Sequence, residues 1–442
     1  MKSLKLVLIM FLCGMVTPSR AQTNPNEIDA KEKKEVVDSV TSILKANYVF
    51  PDVAVKMNDF LLKQLGYKAY DKINDPQKFA EVLTADVQSI SKDLHLRIQF
   101  DPESIARRRN AAQSSADSIA FADRRLQSNK AANYGFREVS ILDGNIGYLN
   151  LTNFFNVDVG AGAATESAMN FLSNADALII DLRQNGGGNP SMIQLITSYL
   201  YGPHSVHLNN FFDRPSGEIT QTWTLPYVPG VRRPDIDVYV LTSRSTFSAA
   251  EEFSYNLRNL ERATLIGEVT GGGAHPGGTQ IATDRYTIWV PTGRAINPIT
   301  NTNWEGVGVE PHIKVAASEA LDVAKITALE TILKRRKSQN TFHLEWALEG
   351  LKAEKNPVNL DENILKSYAG GYGPRKLSFK NGTLFYQREG SNEYKLIPMS
   401  ESKFRIEEIP YFRIEMLKEA GKVVAIRGLY NNGRTDKSLR TE

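Results

Sequence analysis

The sequence predicts an α/β protein with a helical segment before it and a hairpin-rich segment after it, and three patterns carry that reading. From Tyr134 onward, short apolar runs alternate with helical ones. The strand-like runs are Asn145–Leu151, Ala177–Leu182, Val238–Thr242 and Thr264–Gly267, and helical spacing follows near Gly160–Leu172, Ser191–Tyr201 and Ala249–Leu260. Such alternation predicts a sheet whose functional loops follow the strand C-termini. Before it, Asp29–His95 repeats its apolar residues at helical spacing, as in Val36, Val37, Val40, Ile43 and Leu44. After the helical, basic-ended Ala317–Lys337, strand-like runs flank Asn381-Gly382 and Asn432-Gly433, two hairpin-turn signals.

These shifts divide the chain into a helical N-terminal domain over 28–100, a linker over 101–133, an α/β domain over 134–337 and a small β-rich accessory domain over 356–442. The linker is polar and includes Arg107-Arg108-Arg109, which reads as a solvated helical connection or a basic contact patch.

Ahead of these segments, residues 1–21 read as a signal peptide. Lys2 and Lys5 precede the apolar run Leu6–Val16, and Ser19-Arg20-Ala21 supplies a small-residue cleavage site before Gln22. Cys13, the only cysteine, sits inside that run, and Met10-Phe11-Leu12 before it lack the small residues of a lipid-attachment site. The apolar run is too short for a stable membrane anchor. A mature chain from Gln22 would have no thiol, so no disulfide, Cys nucleophile or Cys metal ligand. It would also lose three of the 53 basic residues, which balances its 50 acidic ones. Electroneutrality argues against nucleic acid or an anionic membrane as the main partner.

The most informative stretch is Val238–Phe253, where a buried-strand pattern ends in a small-residue turn and restarts as an amphipathic helix with Ser248 at the junction. A serine hydroxyl attacks a carbonyl only when a base takes its proton and donors hold the oxyanion. Free N–H groups at a helix start are such donors. The competing reading is a plain helix cap at Ser245 or Ser248. A second segment, Ala177–Pro190, is another buried strand running into Gly186-Gly187-Gly188 before a helix. It lacks the glycine spacing of a dinucleotide loop and the Lys-Ser/Thr ending of a phosphate loop, so a nucleotide cofactor is not expected. No H-E-x-x-H or similar spacing points to a metal.

D-L-R-Q-N-G-G-G at Asp181–Gly188, T-F-S-A-A-E at Thr246–Glu251, G-E-V-T-G-G-G at Gly267–Gly273 and E-G-V-G-V-E-P at Glu305–Pro311 together resemble the ordered motifs of the S41 peptidases. That family includes C-terminal processing proteases, the tricorn core protease and the interphotoreceptor retinoid-binding modules. The likeness runs from about Ile28 to Lys337. It implies a crotonase/ClpP-like spiral of βαβ units, with Ser248 as nucleophile and the backbone N–H of Ala249 plus Gly187 or Gly188 as the oxyanion hole. The processing branch carries a PDZ domain where this chain has about thirty residues, too few for one.

The same branch has a lysine base where this chain has Gly273, so a base is sought among the histidines, which otherwise belong to an inactive site. Six are present. His95, in Asp93-Leu94-His95, resembles the D-x-H segment of the tricorn-like branch, in which a glutamate matching Glu305 orients the imidazole. This chain has Leu94 where that branch has a serine. His275, two positions beyond Gly273, is the alternative base. His204 and His207 look like surface strand residues, and His312 and His343 lack a partner pattern. Glu251 reads either as an orienting group or, more simply, as an acid favoured by the helix dipole. Asp181 and Arg183 read as an ion pair at a strand end.

The expected function is therefore a secreted or periplasmic serine peptidase acting on polypeptides without a cofactor. The alternative is an inactive module of the same architecture that binds an apolar ligand or polypeptide. Mass spectrometry of exported protein should find Gln22 at the N-terminus and no acyl group on Cys13, and reductant should leave the thermal midpoint unchanged. An intact N-terminus or an acylated Cys13 would contradict this reading.

Overall fold

The computed structural model describes residues 27–336 and 341–441. The expected signal segment with Cys13, and Lys337, lie outside the described residues. The N-terminal part begins with α1 (Ala30–Asn47), α2 (Pro51–Gly66) and α3 (Pro76–Ser91). Asp29 and Asp75 cap the first and third by accepting the N–H of Glu32 and Lys78. The helical stripe read from the sequence is the buried one: Val36, Val37, Val40 and Leu44 are wholly enclosed. Lys92 takes a left-handed conformation (φ 60°) that stops α3 and turns the chain into β1 (Arg97–Phe100).

Residues 102–131 form α4 (Pro102–Gln113) and α5 (Ser115–Ala131), packed side by side. Arg107 and Arg109 pair with Glu103 and Asp284. α5 has no buried residue, as a solvated helical connection requires.

The central part runs β2 (Phe136–Leu142), β3 (Ile146–Leu151), α6 (Val159–Phe171), β4 (Ala177–Asp181), α7 (Pro190–Tyr199), β5 (His207–Asp213), β6 (Ile219–Trp223), β7 (Asp237–Thr242), α8 (Ala249–Asn259) and β8 (Thr264–Gly267). It continues with β9 (Gly277–Ile281), β10 (Tyr286–Pro291), β11 (Gly293–Ile296), β12 (Ile313–Lys314) and α9 (Ala320–Arg335). One sheet has the order β12-β8-β7-β4-β3-β2, parallel except for the β2–β3 pair. Its register sets Ile180 beside Val240 and Val240 beside Leu265. This is the expected succession of βαβ units, with apolar cores on both faces of the sheet.

β10 belongs to a separate three-stranded sheet, where it pairs with β1, Trp289 opposite Arg97, and with β9 on its other side. Tyr286, Ile288 and Val290 thereby enter the core of α1–α3. The N-terminal unit is thus closed by a strand whose residues lie 186 to 192 positions beyond their partners in β1 (Phe100 with Tyr286, Arg97 with Trp289), a long-range pairing that helical periodicity alone does not reveal.

The C-terminal part comprises α10 (Phe342–Lys355), α11 (Glu362–Tyr368) and two antiparallel sheets. The first contains β13 (Gly370–Tyr372), β14 (Arg375–Lys380), β15 (Thr383–Arg388) and β16 (Glu393–Lys395). The second contains β17 (Ile397–Pro398), β18 (Lys403–Arg405), β19 (Phe412–Glu419), β20 (Lys422–Tyr430) and β21 (Thr435–Leu439). Asn381-Gly382 turns the β14–β15 hairpin with both φ angles positive, as a tight two-residue turn demands. This part has its own core and meets the rest through α10, where Arg413 reaches Glu349 at 2.8 Å and lies 3.7 Å over the Trp346 ring. Deleting 356–442 should leave a cooperatively folding protein with native-like circular dichroism. Its thermal midpoint should fall by several degrees, because Trp346 loses its cover and each kcal/mol is worth about 2–4 °C at this size. Non-cooperative unfolding of the truncated chain would show that the C-terminal part completes the central core.

Candidate functional site

Three adjacent parallel strands, β4, β7 and β8, release their loops at the same edge of the sheet. The glycine turn 186–188 follows β4, Ser248 follows β7, and the loop 268–276 follows β8. This is where ligand sites form in parallel sheets.

Ser248 is the residue immediately before α8 and has φ 54° and ψ −119°, a conformation that costs a non-glycine residue about 1–3 kcal/mol. Ser245 is exposed and four positions before the first residue of α8, whose N-cap is Ser248. The strain at Ser248 is held by Glu251, which is fully buried. Its carboxylate accepts the N–H of Ser248 (2.8 Å), Gly272 (2.6 Å) and Gly273 (2.8 Å) and the hydroxyl of Thr270 (2.5 Å). Burial pushes its pKa up against these four donors. Glu251 stands in the first turn of α8, as the dipole reading has it, and its carboxylate also ties the start of that helix to the glycine loop.

Gly187 packs so tightly on Ser248 that an added Cβ would lie 2.8 Å from the serine Cβ, and at Gly188 a Cβ would lie 1.9 Å from the Phe154 carbonyl oxygen. Both have positive φ. Of the three expected backbone donors, Gly187 is committed elsewhere, because its N–H donates to Asn185 Oδ1 at 2.9 Å. The N–H groups of Gly188 and Ala249 enter no hydrogen bond among the described residues, and both residues line the cavity beside Ser248. Asn185 was not singled out from the sequence. It is wholly buried, donates to the Leu151 carbonyl and accepts the Phe247 N–H, which fixes the glycine turn against the serine segment.

The imidazole of His95 lies between two aromatic rings, Phe247 (centroids 4.6 Å apart) and Trp289 (5.0 Å, stacked). Its Cε1 would be 2.6 Å from a Cβ at residue 273. The missing side chain at Gly273 and the presence of His95 are thus one fact about space. Neither ring nitrogen has a hydrogen bond, and Nδ1 is 3.7 Å from Asp93 Oδ1, beyond hydrogen-bond length.

His275 is also buried, and its Nδ1 bonds Asp93 Oδ2 at 2.9 Å, with Glu305 Oε2 at 3.4 Å and Phe50 edge-on to the ring. Tyr48 donates to the same Asp93 oxygen at 3.2 Å, while Asp93 Oδ1 accepts the His95 backbone N–H. Burial pushes the Asp93 carboxyl up, but the hydrogen bond from His275 and the charges of both imidazoles outweigh it and hold it well below the carboxylate range. For Glu305, burial and the nearby negative Asp93 push the pKa up to about 8, against the Ala274 N–H and the attraction of His95.

Asp93, between the two imidazoles, is thus held toward its ionised form and Glu305 toward its protonated one. In the sequence Asp93 is marked only by its place in D-x-H, two positions before His95. Asp93, His95 and Glu305 also offer ligand atoms within 4.8 Å of one another, the set among the described residues able to hold a metal ion.

A cavity of about 230 Å³ opens beside Ser248, with walls that include Phe211, Pro276, Trp289 and Trp304. Glu252 is among its lining residues, one helical turn beyond Ser248. The Trp304 indole donates to the Gly273 carbonyl at 2.8 Å, which anchors the loop from the other side. The remaining histidines stand apart: His207 stacks on Trp223, His312 accepts the Leu265 N–H, and His204 and His343 are exposed. Asp181 and Arg183 form the expected ion pair at 2.6 Å, joined by the Tyr148 hydroxyl. No helix among the described residues is long and apolar enough to cross a membrane.

A family model described as "Peptidase family S41" matches residues 145–315, and one described as "N-terminal domain of Peptidase_S41 in eukaryotic IRBP" matches residues 30–134. Among solved structures, the chain is similar to a lipoprotein from Streptococcus agalactiae (16% identity, 69% of this chain and 96% of that one, TM-score 0.46). It is similar also to a putative peptidase from Parabacteroides merdae (17%, 68% and 96%, 0.45) and to a photosystem II D1 C-terminal processing protease (13%, 65% and 93%, 0.40). With the two family models lying end to end over the helical unit and the sheet that carries Ser248, the chain belongs to peptidase family S41.

Proposed function

We propose that the protein is an exported serine peptidase in which Ser248 attacks the substrate carbonyl and His95 moves the proton. The observation that carries this reading is the meeting, at one cavity, of a strained junction serine, two uncommitted backbone donors, Gly188 and Ala249, and Gly273, whose missing side chain leaves room for the His95 ring. In the proposed reaction Ser248 Oγ bonds the carbonyl carbon as its proton passes to His95. The oxyanion is held by the N–H groups of Ala249 and Gly188 and by the positive end of α8, each such donor being worth about 3 kcal/mol. His95 then gives its proton to the departing amine, and a water repeats the sequence to release the acid.

Phe247 and Trp289 hold the imidazole between their rings, with Asp93 Oδ1 3.7 Å from its Nδ1. Asp93, closing on Nδ1, would hold the tautomer that leaves Nε2 basic, and His275 would position Asp93 from behind. Glu305 keeps a supporting place: held protonated, it caps the glycine loop through Ala274 without adding a second negative charge. The N-terminal Lys-rich, apolar and small-residue pattern supports export.

Replacing Ser248 by Ala should abolish peptide hydrolysis and labelling by a serine-reactive phosphonate, at a stability cost of about 1 kcal/mol or less. His95→Ala should cost on the order of a thousandfold in turnover and add little in the Ser248→Ala background, because the pair acts as a unit. His275→Ala should cost less. Dispensable His95 with indispensable His275, in equally folded proteins, would move the base to the glycine loop. Saturable binding of an apolar ligand by unlabelled wild-type protein would favour the inactive-module reading.

Glu305 adds a pH signature. Its folded pKa, about 8, lies above the unfolded value, so the native state binds the extra proton and its stability contribution declines as pH rises from roughly 4.5 through 8. Glu252 is raised in the same way and adds to the same decline. Glu305→Gln should therefore make the stability of the protein fall less steeply over that range in urea titrations. An unchanged slope would show that Glu305 is ionised in the native state.

A further inference from the structure

The cavity beside Ser248 has one ionisable carboxyl group among its lining residues, and the reaction proposed above does not use it. That group belongs to Glu252, four residues after Ser248 on the same face of α8. Four residues of helix advance about 6 Å, which is also the reach of a four-carbon stem. The walls between are apolar: Phe211, Pro276, Trp289, Ala295 and Trp304. Gly188 and Ala249 line the same opening, so a carbonyl held by their N–H groups would start its own side chain at the mouth of the cavity.

Two buried amides flank the Glu252 carboxyl. Asn209 and Asn256 are almost wholly enclosed, and both act to favour the ionised form of Glu252. Their oxygens are already used, by the Asn210 N–H and by the Asn297 amide respectively. Their amide nitrogens have no hydrogen-bond partner among the described residues. Donors buried in this way normally face an acceptor. Burial nevertheless pushes the Glu252 pKa up to about 8, so the empty site favours the neutral acid. A cation arriving at the end of an apolar stem would draw the proton off and complete the set of partners that the two amides begin.

We propose that Glu252 is the specificity-determining residue of this site, and that the cavity accepts a lysine side chain on the residue whose carbonyl Ser248 attacks. The substrate class is then polypeptides cleaved after lysine. This rests on the serine-peptidase reading, and its test separates the two.

At pH 8, kcat/KM is measured for two fluorogenic peptides that differ only in lysine against norleucine at that position, with phosphonate labelling of Ser248 followed in parallel. The wild type should favour lysine by tenfold or more, Glu252→Gln should bring the ratio near one, and Glu252→Leu should invert it. Labelling of the two variants reports that the site is assembled. A labelled wild type that cleaves both peptides alike, or a lysine preference that survives Glu252→Gln, would overturn the inference alone. A wild type that is neither labelled nor able to cleave either peptide would overturn the peptidase reading and the inference with it.

Discussion

The carboxylate of Glu251 is the constraint on which the site depends. It is enclosed, and its four donors come from two separate loops: Ser248 at the start of α8, and Thr270, Gly272 and Gly273 after β8. Removing one charged partner from such a cluster leaves several buried donors without acceptors, at about 1–3 kcal/mol each. The arrangement does more than stabilise. Because one oxygen bonds Ser248 and Gly273 together, the conformation of the proposed nucleophile and the position of the loop facing it cannot vary independently. The strained φ of Ser248 is sustained by this pairing and by Gly187, which has no side chain to obstruct the approach.

A second dependence crosses the chain. His95 precedes β1, and Trp289, which stacks on it, lies in β10, so the β1–β10 ladder brings the ring and its platform into register. The core of the helical unit is continuous with that ladder through Tyr286, Ile288 and Val290. The proposed base is therefore positioned by the folding of the N-terminal helices, more than by any local turn chemistry. Asp93 adds the electrostatic counterpart: it sits between His95 and His275, receives the Tyr48 hydroxyl, and adds its charge to the burial that pushes the Glu305 pKa up.

Much of this was legible in the sequence, and the limits have physical causes. β4, β7 and β8 were readable because fully buried parallel strands are continuous apolar runs, and Ser248 because a strand pattern changed to a helical one around it. The hairpin at Asn381-Gly382 was readable because its turn needs positive φ twice. Asn185 and Asp93 were not, since each bonds partners distant in sequence: Leu151 and His275. Periodicity reports which face a residue occupies and not what stands opposite it. Glu251 shows the same limit in another form, because an acid in a first helical turn has the same sequence signature whether it faces water or four buried donors.

Gly273 joins these strands of argument. A Cβ there would sit 2.2 Å from Phe247 Cζ and 2.6 Å from His95 Cε1, so even alanine needs one of the rings to move, and a lysine would have to displace both. Phe247 cannot retreat freely, because its N–H is tied to Asn185 and the next residue is Ser248. His95 has Trp289 behind it. The space beside Ser248 thus holds a base delivered by the glycine loop or one delivered by the N-terminal unit, and close packing excludes having both. With glycine at 273, proton transfer in the proposed reaction depends on a residue whose place is set by the β1–β10 ladder, which makes the helical unit part of the chemistry as well as of the fold.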